Sequence, residues 1–417
     1  MSFPFTLVTL VFLSMVPVTM LVPVVKDIVK DRLLGTNYEV AYFTSIPMLG
    51  SFLFGPVAGI LSDKFQNRKY LIACFCFIDA FLFYSLTLVH DLNVFLWLRF
   101  FEGAAHIFII GLLLSSAADI ENDPSNQRYY GKGVLMGVTG MFLSLGGAFG
   151  MPLGILGRKN PLIPFYVGSA ILVFIGLASL LLLKDGKIHK ERKFKFSLLL
   201  VAAKENPYLI IPFLFNFIDR FTVGFFMSSF NIHLRENLGF NAGISGLFMG
   251  LVLFPMSLLS YPAAILSRKT GILPLVLAGS LFYGIFLGFA GTTNDFWLLL
   301  TYLVLCGIGA GVMFVPSMML ASRMSKPGLT ATTMAAFTGV GSLGFMFGPL
   351  ASVNLQSYLE FKLGSQYSFP VLSFSFGFLE ILLVLLTVPF FHKILQKMKN
   401  RQLEREEISL ANSPNLF

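Results

Sequence analysis

The chain has 417 residues, of which 56% are apolar and 12% charged, and its mean hydropathy is +0.78. Soluble domains average about 25% charged residues, so this composition excludes a water-soluble globular fold and describes a chain solvated by lipid. The net charge of +9 does not indicate nucleic-acid binding, because its distribution along the chain has another cause, given below.

A helix needs roughly 20 mainly apolar residues to cross the hydrocarbon core. Twelve such stretches lie near 4–25, 37–61, 70–89, 94–117, 133–156, 162–183, 208–230, 242–266, 272–291, 296–320, 330–352 and 368–391. The first is no cleaved signal: its apolar run is too long, no basic residues precede it and further spans follow. The longest polar interruption divides the spans six and six. The expected architecture is an all-α integral membrane fold of two pseudo-symmetric six-helix bundles, 1–183 and 207–391. They are joined by a cytoplasmic linker, 184–206, and followed by a cytoplasmic tail, 392–417. Within the linker, Phe194 to Asn206 mixes basic and apolar residues and reads as a short helix on the membrane surface.

With both termini placed in the cytoplasm, 21 of the 30 Lys and Arg fall on cytoplasmic segments and seven on outer loops. That is the positive-inside asymmetry, with a secondary attraction to anionic lipid. The basic excess therefore sets orientation. The expected location is a plasma membrane, such as the bacterial inner membrane, with the protein a monomer in the bilayer. Cys74, Cys76 and Cys306 all lie in spans and read as small apolar residues. No metal-spaced His/Asp cluster, G-x-S-x-G elbow or phosphate loop occurs, so no cofactor, metal or enzymatic activity is expected.

Two echoes relate the halves. Ile60-Leu61-Ser62, closing span 2 before Asp63-Lys64, returns half a chain later as Ile265-Leu266-Ser267 before Arg268-Lys269. Gly146-Gly147-Ala148-Phe149-Gly150-Met151-Pro152 in span 5 returns as Gly344-Phe345-Met346-Phe347-Gly348-Pro349 in span 11. Glycines four apart let helices approach closely in lipid, and Pro152 and Pro349 beside them bend the helix.

Twelve spans, a basic central loop and these repeats together resemble the major facilitator superfamily over nearly the whole chain. The loop Gly59-Ile60-Leu61-Ser62-Asp63-Lys64-Phe65-Gln66-Asn67-Arg68-Lys69 is similar to that family's signature G-x-L-[AS]-D-[KR]-x-G-x-[RK]-[RK], with Gln66 at the usual Gly. The resemblance implies a gating role for Asp63, bracing span 11 in the outward-facing state; a plain solvated turn is the alternative. On charge alone, Lys64, Arg68 and Lys69 hold the loop at the cytoplasmic face. Arg99-Phe100-Phe101-Glu102-Gly103 resembles the family's span 4 motif, with Glu in place of the frequent Gln. Gly137, Gly146, Gly150 and Pro152 resemble the glycine-rich span 5 motif of its drug:proton antiporters, although Met151 intrudes before the proline.

An ionisable residue inside a span costs about 2.5–3.5 kcal/mol on insertion scales and marks a functional candidate. On span 4, Arg99, Glu102 and His106 follow i, i+3, i+7 and share one face. Arg99 and Glu102 can pair on their own helix, either as a packing device or as part of a path, and His106 can carry a proton near neutral pH. On span 3, Asp79 lies ~15 Å from the cytoplasmic end and Arg99 ~18 Å, so a pair between them is allowed. On span 7, Asn216, Asp219 and Arg220 form a second face, where Asp219 and Arg220 would neutralise each other across the bundle. Glu380 on span 12 has no evident partner and reads as structural. The resemblance places spans 1, 4, 7 and 10 around a central cavity.

The expected function is alternating-access transport of a small amphipathic molecule, with protons as coupling ion and export as direction. Buried carboxylates would exchange a proton for substrate. The competing reading is uptake or facilitated movement of an anionic solute or lysolipid clamped by Arg99 and Arg220. A non-transporting receptor or a membrane enzyme is the remote alternative.

Overall fold

The computed structural model describes residues 3–64, 68–122, 134–183, 206–326 and 330–411. The expected linker, 184–206, and its surface helix lie outside the described residues except for Asn206, as do 412–417. Among the described residues, twelve helices are long and apolar enough to cross a membrane. Their main α-helical stretches are α1 (Phe3–Met20), α2 (Asn37–Lys64), α3 (Arg68–Leu88), α4 (Leu92–Asn122), α5 (Val134–Gly150), α6 (Ile163–Leu182), α7 (Ile210–Phe225), α8 (Ala242–Thr270), α9 (Ile272–Ala290), α10 (Phe296–Met324), α11 (Thr330–Leu363) and α12 (Ser365–Thr387), the fifth and seventh spans running on through 3-10 and π turns to Arg158 and Asn237. A further helix, α13 (Phe391–Ala411), occupies most of the tail and lays Ile394 against Leu320 and Met324 of α10.

Packing within each half follows one plan. In the first, α1 packs on α5, α2 on α4, and α3 on α4 and α6. In the second, α7 packs on α11, α8 on α10, and α9 on α10 and α12. Small residues make these contacts close, because lipid tails supply no hydrophobic drive between helices. A Cβ on Gly146 would stand 2.1 Å from the Phe12 carbonyl oxygen of α1, and one on its counterpart Gly344 2.4 Å from the Phe217 oxygen of α7. The two glycine echoes therefore do the same job at matching places. Pro152 opens a 3-10 segment, Met151–Arg158, that continues α5, whereas α11 runs on through Pro349.

The repeat extends to the backbone beyond α1 and α7. Asp27–Arg32 and His233–Asn237 are both π-helical turns. Leu33 and Gly35 donate to the carbonyls of Ile28 and Val29, and Leu238 and Phe240 donate to those of His233 and Leu234. Leu34 and Gly239 follow with positive φ, 57° and 66°.

The halves meet along two crossings related by this symmetry, α2 with α11 and α5 with α8. The second is tight where α5 ends and α8 begins: a Cβ on Gly246 would lie 2.0 Å from the Met151 oxygen, and one on Gly243 2.7 Å from Ile155. Three polar bonds clasp the halves at this same end. Arg235 pairs with Asp27, Lys30 with Glu236 at 2.5 Å, and Asn231 donates to the Val22 oxygen at 2.6 Å. Burial pushes the Asp27 carboxyl above its ordinary range despite the pull of Arg235. Toward the other end, a Cβ on Gly59, Gly137 or Gly140 would meet open space. The structure is thus sealed at the end bearing residues 25–36.

Candidate functional site

The charged face foreseen on span 4 meets Asp79 of α3 in the interior of the first half. Asp79, Glu102, Arg99 and His106 are 0%, 1%, 3% and 7% exposed. Arg99 and Glu102 pair on their own helix, as their spacing allows, whereas Asp79 takes a different partner from the one its depth allowed. Arg99 Nη1 donates to Glu102 Oε2 at 2.6 Å on its own helix, and Asp79 Oδ2 takes His106 Nδ1 at 2.8 Å. The Asp79–Arg99 pair that their similar depths allowed is replaced by Asp79–His106. Similar depth allowed Arg99, but rotation about the helix axes selects His106.

Arg99 is held from a third side. Its guanidinium lies 4.2 Å from the Phe43 ring centroid, and Nη2 donates to the Phe43 oxygen at 3.4 Å. Phe43 stacks in turn on Phe95. Gly103 lets α4 come this close to α2, since a Cβ there would stand 2.1 Å from the Pro47 oxygen. Asp79 Oδ1, His106 Nε2 and Arg99 Nε keep no hydrogen-bond partner. One ligating atom each from Asp79, Glu102 and His106 lie within 4.8 Å of one another. That trio could hold a cation, but Arg99 already places a fixed positive charge on Glu102, so the space suits a proton better than a metal ion.

The face foreseen on span 7 is divided in the second half. Asn216 donates to the Phe337 oxygen of α11 at 2.6 Å. Arg220 lies over Phe314 of α10 and Phe345 of α11, at 4.5 and 5.2 Å. Asp219 and Arg220 approach directly rather than across the bundle: Nε to Oδ2 is 3.6 Å, beyond hydrogen-bond reach. Asp219 Oδ2 has no hydrogen bond and is 5% exposed as a residue. Glu380, expected to lack a partner, accepts from Ser280 of α9 at 2.5 Å and is fully buried. The sequence signal for that partner was the small-residue pair Gly284 and Gly377, which lets α9 and α12 touch.

At the signature loop, Arg68 is buried and ion-paired with Asp119 of α4, so it fastens the loop to its own bundle rather than to the membrane face. Lys69 lies 5.1 Å from the Tyr70 ring. Asp63 and Lys64 close α2, and their side chains lie outside the described ones. Phe43, Asp119, Ser280 and Tyr283 were not foreseen as site residues.

The family model described as Major Facilitator Superfamily matches residues 7–349 and, again, 212–410. The chain belongs to the major facilitator superfamily. It is a multi-pass integral membrane protein. Solved structures of similar fold include a mutant form of the nucleoside transporter NupG, with TM-score 0.75 and 14% identity over 94% of this chain and 100% of that one. A bacterial homolog of the human lysosomal transporter Spinster, inward-facing and unoccupied, matches with TM-score 0.72 and 14% identity over 95% and 96%. A D-xylose–proton symporter matches with TM-score 0.67 and 15% identity over 92% and 97%. No curated sequence matches significantly.

Proposed function

We propose that this chain is a secondary transporter that exports a small amphipathic molecule in exchange for protons. The carrying observation is the buried quartet of Asp79, Arg99, Glu102 and His106. With a neutral imidazole, two carboxylates and one guanidinium sum to −1; one added proton brings the set to zero. An uncompensated charge in a dry site costs several kcal/mol, so the loaded, neutral quartet is favoured while the site is closed. Water reaching the opened site solvates the −1 state and favours release. Opening and closing therefore change how many protons the site binds, which is what coupling requires. The unpartnered Asp79 Oδ1 and His106 Nε2 are the atoms where an incoming proton or water finds hydrogen-bonding capacity.

Alternating access is supported by the symmetric crossings α2/α11 and α5/α8 and by the seal at one end. With the orientation implied by the basic residues, that end is extracellular and the structure is inward-facing. Direction of transport rests on the antiporter-like glycines of span 5. The competing anion clamp is weakened because Arg99 is already bound to Glu102 and Phe43. The test is substrate accumulation in inside-out vesicles with and without an imposed pH gradient. Gradient-driven uptake that Glu102→Gln abolishes supports the reading; uptake indifferent to the gradient, or intact in both Glu102→Gln and Asp79→Asn, ends it.

A further inference from the structure

A cavity of about 20 Å³ lies in the second half, apart from the quartet. Asp219 borders it from α7, Met256 from α8, Tyr283 from α9 and Ala310 from α10, and Met151, where α5 ends, borders it from the first half. A cavity must offer about 10–15 Å³ to admit a water molecule. This one has room for a single water and is too small for an organic ligand.

The polar groups on its wall are short of donors. Asp219 is 5% exposed and its Oδ2 accepts no hydrogen bond. The Arg220 Nε stands 3.6 Å from that oxygen, beyond hydrogen-bond reach, and its guanidinium lies over Phe314 and Phe345. Tyr283 needs a donor as well. Thr222 has one hydroxyl proton and gives it to the Asp219 backbone oxygen at 2.8 Å. In the 3.0 Å contact between Thr222 and Tyr283 the tyrosine is therefore the donor, and its own oxygen keeps acceptor capacity. One small space is thus bordered by a carboxylate and a phenol oxygen, both acceptors. Buried acceptors left without a donor are destabilising, and a water molecule supplies two O–H donors within the volume. A hard metal ion takes about six oxygen ligands or more, which this wall cannot provide, because its other side chains are apolar.

We propose that this cavity holds a single ordered water that donates one hydrogen bond to the Asp219 carboxylate and one to the Tyr283 oxygen, joining α7 to α9. The two halves then solvate their buried acids differently. Asp79 takes its partner from a side chain, His106, and Asp219 takes its own from water. The bridge is independent of the transport reading above and holds whichever way cargo moves.

The test is X-ray radiolytic footprinting of the purified full chain in lipid nanodiscs, read by mass spectrometry. Radiolysis of an ordered water releases hydroxyl radical where the water sits, so a buried side chain beside it is oxidised. Met256 on the cavity wall and Met313 away from it are both 3% exposed, which makes them a matched pair. Met256 should be oxidised several-fold faster than Met313. Asp219→Val removes the carboxylate and should bring Met256 down to the rate of Met313. Tyr283→Phe, which keeps the ring, should lower the rate part of the way. Asp219→Asn, which keeps an acceptor oxygen, should preserve it. Equal rates at Met256 and Met313 in the unmodified chain overturn the proposal without any variant. A fast rate at Met256 that persists in Asp219→Val, or in Tyr283→Phe should the first variant not fold, means that bulk water reaches the site when the bundle opens, and overturns it too. No variant here touches the quartet, so either result leaves the coupling reading to its own test.

Discussion

The two six-helix halves share a scaffold and differ in what they bury. The scaffold repeats down to single bonds. The turn after α1 and the turn after α7 use the same donors and acceptors one half-chain apart, and the glycines of α5 and α11 admit α1 and α7 to similar distances. The interiors do not repeat. The first half gathers two acids, a guanidinium and an imidazole into paired contacts. The second holds Asp219 and Glu380 apart, neither hydrogen-bonded to a cation. A symmetric frame lets both halves tilt about one interface. On the proposed reading, the asymmetric interior gives the first half's quartet the coupling proton and leaves the second half without such a cluster.

The largest way to break this division is in the quartet. Glu102→Gln leaves Arg99 buried without its carboxylate, and stranding one member of a buried pair costs about 3–5 kcal/mol. Thermal unfolding should show that loss, and gradient-driven transport should fall by about a hundredfold or more, the scale of a lost proton-transfer group. The double change Arg99→Gln, Glu102→Gln removes both charges. It should regain most of the stability and none of the coupling. Recovery of coupling in the double variant would show the pair to be packing alone.

Glycine replacement along α5 sharpens the contrast between its two ends. Gly146→Ala forces a methyl to 2.1 Å from the Phe12 oxygen, and overpacking of this kind costs about 1–3 kcal/mol. Gly344→Ala should cost a similar amount, because the Phe217 oxygen, 2.4 Å from the added methyl, takes the place of that of Phe12. Gly137→Ala and Gly140→Ala meet open space, and their melting temperatures should stay at the unmodified value or rise slightly. A large loss at Gly140 would contradict the open space beside the first turns of α5.

Much of the fold was legible in the sequence because lipid imposes a simple rule: every span must be apolar and long enough. That rule fixed twelve helices and their division. It could not see where helices continue past the lipid, so α4 runs on to Asn122 and the tail helix α13 went unforeseen. In the site, helical spacing alone brought Arg99, Glu102 and His106 to one face, since i, i+3 and i+7 share a side. The choice of partner was not legible. Asp79 meets His106 and Ser280 meets Glu380 through the rotation and close approach of neighbouring helices, and Gly103, Gly284 and Gly377 permit that approach without announcing which side chains it joins.

The clasp between the halves gives a smaller effect with a defined sign. Asp27 is partly buried against Arg235, and burial holds its carboxyl above the ordinary range. When the clasp opens, Asp27 faces water and returns toward about 4. The closed form therefore binds the proton more readily. Acidification favours it below that ordinary range, and the bias is lost as pH climbs through the raised closed-form value. Arg235→Ala removes a partly exposed pair worth about 1 kcal/mol or less and should shift the population toward opening at neutral pH. Spin labels on Leu34→Cys and Phe361→Cys, with Cys74 replaced by Ser, report the separation of the sealed end. A distance distribution unmoved by Arg235→Ala would show that the α5/α8 crossing alone holds it closed.

The smallest effect separates the two copies of one turn. Leu34 and Gly239 occupy matching positions with φ of 57° and 66°. Gly adopts that left-handed conformation freely, whereas a side chain there costs roughly 1–2 kcal/mol. Leu34 is 85% exposed, so little packing compensates it. Gly has more freedom to lose on folding, which takes back part of the gain. Leu34→Gly should then stabilise the chain by ~0.5–1 kcal/mol, and Gly239→Leu should destabilise it by a similar amount. Paired melting curves of the two single variants and the exchange variant carrying both decide the matter. A Cβ on Gly239 would meet nothing within 4 Å, Leu34 included, and changes that share no partners add to within a few tenths of a kcal/mol, so the exchange variant should melt near the unmodified chain. A Leu34→Gly chain that melts lower would mean that the leucine side chain contributes to the sealed end, and the two turns would then be copies in backbone only.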